Sequence, residues 1–133
     1  MPEPSGYETS YESDTVRSDC VVGVGLDVQE GRVRRFLVDL QYTVRANEYT
    51  QIARFDHNEL DRDGHDIRTN GFHIDVVVED GSERTVVPEH HPIPQELGVV
   101  VRACKNYLNT YSDFFVAVYE GEQDPSRLPN WPP

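Results

Sequence analysis

The chain has 133 residues, 37% of them hydrophobic and 27% charged, with 24 acidic side chains against 12 basic ones and a formal net charge of −12. That length suits one domain with a buried core. Two cysteines exclude a disulfide framework, and no apolar run approaches the ~20 residues of a membrane-spanning helix.

Residues 1–19 (MPEPSGYETSYESDTVRSD) are mostly Ser, Glu, Thr and Pro. Few apolar groups are present to offset ordering entropy, so an acidic N-terminal tail is expected there. Met1–Ser10 has neither a basic start nor an apolar run, which leads to the expectation of a cytoplasmic protein. Cys20–Val28 (CVVGVGLDV) is β-branched and alternating, and Glu30-Gly31 reads as a turn. Arg32–Val44 follows at period two through Val33, Phe36, Val38, Leu40, Tyr42 and Val44; the Arg34-Arg35 pair breaks the register and signals a bulge. Ala46-Asn47 is a hairpin turn, and Tyr49–Phe55 is a third strand.

Asp56–Thr69 is polar and irregular. Asn70-Gly71 turns into a strand over Phe72–Glu79. Asp80-Gly81 then makes a two-residue hairpin to Ser82–Val87, which Pro88 ends. After Pro88–Pro94, Leu97, Val101, Cys104, Leu108 and Tyr111 fall at helical spacing, with Pro94 suited to a first helical position. Asn109–Asp113 breaks this pattern, and residues 114–119 (FFVAVY) read as a second helical segment rather than a strand. Glu122–Pro133 is a Pro-rich C-terminal tail; its Trp131 is expected to dock on the core, the alternative being an exposed handle for a partner. The fold class is therefore α+β: an antiparallel sheet of about five strands packed against a C-terminal helix, spanning residues 20–121.

The acidic residues are spread along the chain, and the basic ones are eleven Arg and a single Lys, Lys105. An even spread is a whole-surface property, unlike a charged block. Dispersed carboxylate with almost no Lys matches adaptation to molar salt; the competing reading is an acidic protein that binds cations or mimics nucleic acid. In dilute buffer the net charge repels RNA. At 1 M salt, where the Debye length is about 3 Å, it does not.

Several motifs are weaker than they look. Gly23-x-Gly25 lacks the third glycine and the helix of a dinucleotide site, so no cofactor is signalled. Glu59-x-Asp61-x-Asp63-Gly64 resembles half a calcium loop but has Asn70 where a closing Glu belongs, and it reads as a solvated acidic loop. Cys20 and Cys104 read as buried thiols. His90-His91, between prolines, reads as an exposed turn.

The chemistry-bearing residues concentrate between 54 and 75. His57, His65 and His73 recur every eight residues, with Asp56, Asp66 and Asp75 beside them. Imidazole and carboxylate together suit a transition metal or acid–base work. Alternation puts His73 and Asp75 on the wet face of their strand, and Arg54 and Asp56 on one face of theirs. If the two strands are close, Arg54, Asp56, His65 and His73 converge as a phosphodiester-handling group.

This order of a strand ending in Arg54-Phe55-Asp56 with Asn58, a loop with His65-Asp66, a strand with His73-Ile74-Asp75, an Asp-Gly turn and a C-terminal helix resembles small TumE-like toxins over about residues 32–111. It is also similar to uncharacterised haloarchaeal domains of the same layout. The resemblance implies a ribonuclease of a toxin–antitoxin pair, with a cognate antitoxin as partner, RNA as substrate, and Arg54, Asp56, His65 and His73 at the site. The chain departs from that pattern in its acidic Glu59–Asp63 stretch and in the segment before residue 20. A non-catalytic interaction module and a metal-binding protein using His57, His65 and His73 are the competing functions.

Overall fold

The structure, a computed structural model, describes residues 3–88 and 93–131. His90-His91 lies outside the described residues. Six strands form one antiparallel meander in chain order: β1 (Thr9–Asp14), β2 (Cys20–Gln29), β3 (Arg32–Arg45), β4 (Glu48–Asn58), β5 (Ile74–Val77) and β6 (Glu83–Val86). Two helices follow, α1 (Leu97–Thr110) and α2 (Ser112–Tyr119), and pack on one face of the sheet. No helix among the described residues is long and apolar enough to cross a membrane.

The period-two residues build the covered face. Val22, Val24, Phe36, Val38, Leu40, Phe55, Ile74 and Val76 are all buried against Val100, Cys104, Tyr107, Leu108 and Phe115 of the helices. Tyr107 meets Phe55 edge-on at 5.7 Å between ring centroids, and Phe72 stacks on Phe55 at 5.2 Å. The turn chemistry is as the sequence implies. Glu30 and Gly31 both take positive φ (53° and 75°), which suits the right-handed twist of a two-residue hairpin. Gly81 has φ 85° in the β5–β6 turn. Asp27 pairs with Arg35 and Val28 with Val33, which leaves Arg34 as the extra residue of a bulge.

Two boundaries differ from expectation. The segment 1–19 contains β1, which pairs with β2 from Thr9↔Leu26 to Asp14↔Val21. Composition measures what side chains can bury. It does not register that an exposed β2 edge offers a row of unpaired backbone groups to any extended neighbour. The helix begins at Leu97, three residues after Pro94, with Glu96 as its N-cap. The break in the helical pattern falls at Tyr111 (φ −108°, ψ 24°), and residues 114–119 are helical, within α2.

Residues 122–131 contain no helix or strand, and they are pinned to the core. The Tyr107 hydroxyl donates to the Pro129 carbonyl at 2.6 Å. Trp131 is 3% exposed, with its ring centroid 4.5 Å from that of Phe72. Trp131→Ala should lower unfolding stability by about 3–5 kcal/mol. Urea denaturation followed by circular dichroism measures this, and the single tryptophan's emission in the native protein should be that of a buried indole.

His57 is the polar exception in the core. It is 1% exposed and stacks on Phe36 at 5.6 Å. Its Nδ1 accepts from the Ile67 N–H at 3.2 Å, so the neutral ring carries its proton on Nε2, which faces Glu59 Oε1 at 3.2 Å. Burial pushes the His57 pKa below its ordinary 6.5, against the pull of Glu59 and Asp66. Below about pH 6.5 the unfolded chain takes up a proton that the folded ring resists. His57 therefore stabilises the fold above that pH, and this contribution is lost as pH falls toward the depressed native value. Burial raises the carboxyls of Glu59 and Asp66, but their partners, chiefly Arg34 for Glu59 and Arg68 for Asp66, outweigh it and hold both below the usual range. They titrate later in an acid titration. The urea midpoint of the wild type should therefore fall between pH 7.5 and pH 5.5, at no more than about 1.4 kcal/mol per pH unit from this group. His57→Gln should start less stable and show a smaller drop over the same interval.

Candidate functional site

The helix-free face of the sheet is polar because β4 alternates. Phe55 and His57 point into the core, so Arg54 and Asp56 point out. The pairing Arg54↔Asp75 brings β5 alongside, and Asp75↔Thr85 adds β6. Arg54 and His73 thus share one face and are joined through Asp75. The Asp75 carboxylate lies 3.2 Å from Arg54 Nη2 and 3.7 Å from His73 Nε2, and it accepts a 2.7 Å hydrogen bond from Thr85 Oγ1.

His65 arrives on the loop between β4 and β5, and local turns determine its position. Asn58 Oδ1 accepts from the N–H groups of Leu60 and Asp61, and Asp61 Oδ1 accepts from Asp63 N. The His65 carbonyl accepts from Asn58 N at 2.7 Å, which folds the loop back on the end of β4. Gly64 fits there because a Cβ would lie 2.5 Å from the Asn58 carbonyl oxygen. The His57–Ile67 hydrogen bond anchors the far side of the same loop.

The result is a compact group. One ligand atom each from Asp56, His65 and His73 lies within 4.8 Å of the other two. The two imidazole centroids are 4.3 Å apart. His65 Nε2 is buried and has no hydrogen-bond partner among the described residues. His57 does not join them: both its nitrogens are engaged on the core side of β4. The set His57, His65 and His73 is thereby corrected. Eight-residue spacing carries no information about side, and His57 falls on the opposite face of the strand from Asp56.

Arg54 is heavily engaged. Its guanidinium makes a two-point contact with Glu83 (2.8 and 3.0 Å), touches Asp75 at 3.2 Å and Gln51 at 3.1 Å, and lies 3.8 Å from Asp56. Burial lowers its pKa, but Glu83, Asp75 and Asp56 outweigh that and hold it charged. Its cross-strand neighbour on β3 is Asp39, 3% exposed and hydrogen-bonded by Gln51 at 2.7 Å. Burial pushes the Asp39 carboxyl up, against the hydrogen bonds from Gln51 and Gln41.

Tyr7, Asp39, Thr85 and Glu83 belong to this face and had no distinct signal in the sequence. Tyr7 comes from the segment expected to be a tail. Its ring lies on Gly25, where a Cβ would come within 2.6 Å of Tyr7 Cδ2, and the Arg35 guanidinium sits 4.0 Å over it. Tyr7, Arg35, Asn58, Asp56 and His65 line a cavity of about 230 Å³. The glycine of the Gly23-x-Gly25 pair that matters here makes room for an aromatic ring. The acidic loop is likewise structural: Glu59 bridges Arg34 and Arg68, at 2.8 Å to each.

No curated protein and no solved structure matches the chain. The comparisons give no link to TumE-like toxins or to haloarchaeal domains. A family model described as a domain of unknown function (DUF7718) matches residues 6–125, from just before Tyr7 to just beyond α2, and the chain belongs to that family.

Proposed function

We propose that the polar face of the sheet is a phosphodiester-hydrolysing centre, a toxin-like ribonuclease site whose partner in the cell is a cognate antitoxin. The observation that carries this reading is the convergence of Asp56, His65 and His73, from three separate stretches of chain, on one wet face beside Arg54. In the reaction a water or hydroxyl oxygen bonds to phosphorus, the P–O ester bond breaks, and the nucleophile's proton ends on the leaving oxygen. Asp56, His65 and His73 surround the reacting oxygen. Asp75, held by Thr85 and Arg54, lies beside His73, 3.7 Å from its Nε2.

Arg54 takes a different role from the one its type suggests. With Glu83, Asp75 and Asp56 around it, it has little charge to spare for a phosphate. It braces the carboxylates of β4, β5 and β6. The acidic surface also repels RNA in dilute buffer, whereas at about 1 M salt screening over roughly 3 Å removes that barrier. This agrees with a protein built to work at high salt.

Purified protein should cut a fluorescent single-stranded RNA oligonucleotide, faster in molar KCl than in dilute buffer. His73→Ala should slow cleavage by about 10²–10⁴-fold, and Asp63→Asn, in the exposed loop, should leave it unchanged. RNA that stays intact with stoichiometric protein across that salt range would remove the hydrolytic reading.

A further inference from the structure

We propose that Asp56, His65 and His73 hold a divalent first-row transition-metal ion. The ion's part in cleavage rests on the hydrolytic reading above; the site itself does not.

The donor set is one carboxylate and two imidazoles, which suits ions from manganese to zinc and leaves coordination positions open for water or substrate. With bonds of roughly 2.1 Å, tetrahedral ligand atoms sit about 3.4 Å apart. Here the three donor atoms already lie within 4.8 Å of one another, so small side-chain rotations close the site. Asp56 sits on a central strand and His73 immediately precedes β5, while the His65 backbone is tied to Asn58. Loading therefore needs no movement of the main chain.

The second observation points to a ligand independently. His65 Nε2 is buried with no partner among the described residues. A ring nitrogen stripped of water and given no hydrogen bond is costly, and a cation in front of it satisfies its lone pair. A carboxylate stands behind one of the ligands, as is common at metal sites. Asp75 lies 3.7 Å from His73 Nε2 and is itself held by Thr85, so a small rotation of the ring brings the two into hydrogen-bond contact.

Charge agrees with geometry. Asp39, Asp56, Asp75 and Glu83 surround one guanidinium, that of Arg54. A phosphate entering this face meets carboxylate first. A bound dication reverses the local sign and supplies the positive centre that Arg54 does not. Room exists for the incoming group: the cavity of about 230 Å³ reaches Asp56 and His65, and one of about 580 Å³ reaches His73.

Chelator-treated protein titrated with ZnCl₂ by calorimetry should bind one ion per chain. Asp56→Asn, His65→Gln and His73→Gln should each weaken binding at least tenfold, with far-ultraviolet circular dichroism unchanged, while Asp63→Asn binds as the wild type does. Should a variant unfold, imidazole NMR of the wild type decides: zinc should shift His65 and His73 and leave His57 in place. Failure to bind zinc, or binding without movement of the His65 and His73 resonances, would overturn the site. Two RNA arms separate this proposal from the hydrolytic reading. Zinc bound at these residues with RNA left intact keeps the site and removes the hydrolysis. RNA cleaved equally well in excess EDTA keeps the hydrolysis and overturns the ion's part in it.

Discussion

The register of β4 between β3 and β5 is the constraint from which the rest follows. Phe55 must face Phe72 and Tyr107, and burying a phenyl ring is worth roughly 1.5–3 kcal/mol. With Phe55 inward, its neighbours Arg54 and Asp56 have no choice but to face out. A slip of one residue would bury a guanidinium without partners and expose the aromatic ring, so the alternative register is excluded from both sides. The hydrophobic pattern thus determines where the polar group assembles, although it contributes no polar atom to it.

The same strand also carries the anchor for the loop. His57 shares the core side with Phe55, and its Nδ1 holds the Ile67 N–H. Asn58, the next residue, ties the other end of the loop at the His65 carbonyl. Phe72, just before His73, is held between Phe55 and Trp131. The three candidate ligands are thereby fixed by three different means: a strand, a set of side-chain-to-backbone turns, and an aromatic sandwich that includes the end of the described chain. Phe72 thus links the packing of Trp131 to the position of His73.

Legibility in the sequence followed the range of the interactions. Strands and turns governed by alternation, Asp-Gly or Glu-Gly pairs were readable, and so was the bulge at Arg34. So was the sharing of a face within each strand, Arg54 with Asp56 and His73 with Asp75, because period two is a property of each strand alone. That the two pairs meet depends on the Arg54↔Asp75 pairing, which is long-range. What escaped depended on partners distant in sequence. β1 owes its order to the edge of β2, and Tyr7 to the missing Cβ of Gly25. Asp39 owes its burial to sitting across from Arg54, a pairing set by the β3–β4 register and by the bulge at Leu40/Gln41. His57 misleads for the opposite reason. Its spacing from His65 and His73 suggests kinship, whereas parity along β4 puts it on the other side.

The engagement of Arg54 bears on how such a face can work. A guanidinium shared among Glu83, Asp75 and Asp56 is a stable element: removing it would leave three carboxylates in mutual repulsion, one of them only 11% exposed. Arginine suits this place better than lysine because its planar fork grips Glu83 at two points while a third contact reaches Asp75. The arrangement buys rigidity at the expense of anion affinity. On the proposal made above, it is the cation held by Asp56, His65 and His73, and not the arginine, that recruits an anionic group to this face, because the charge of Arg54 is already engaged by Glu83, Asp75 and Asp56.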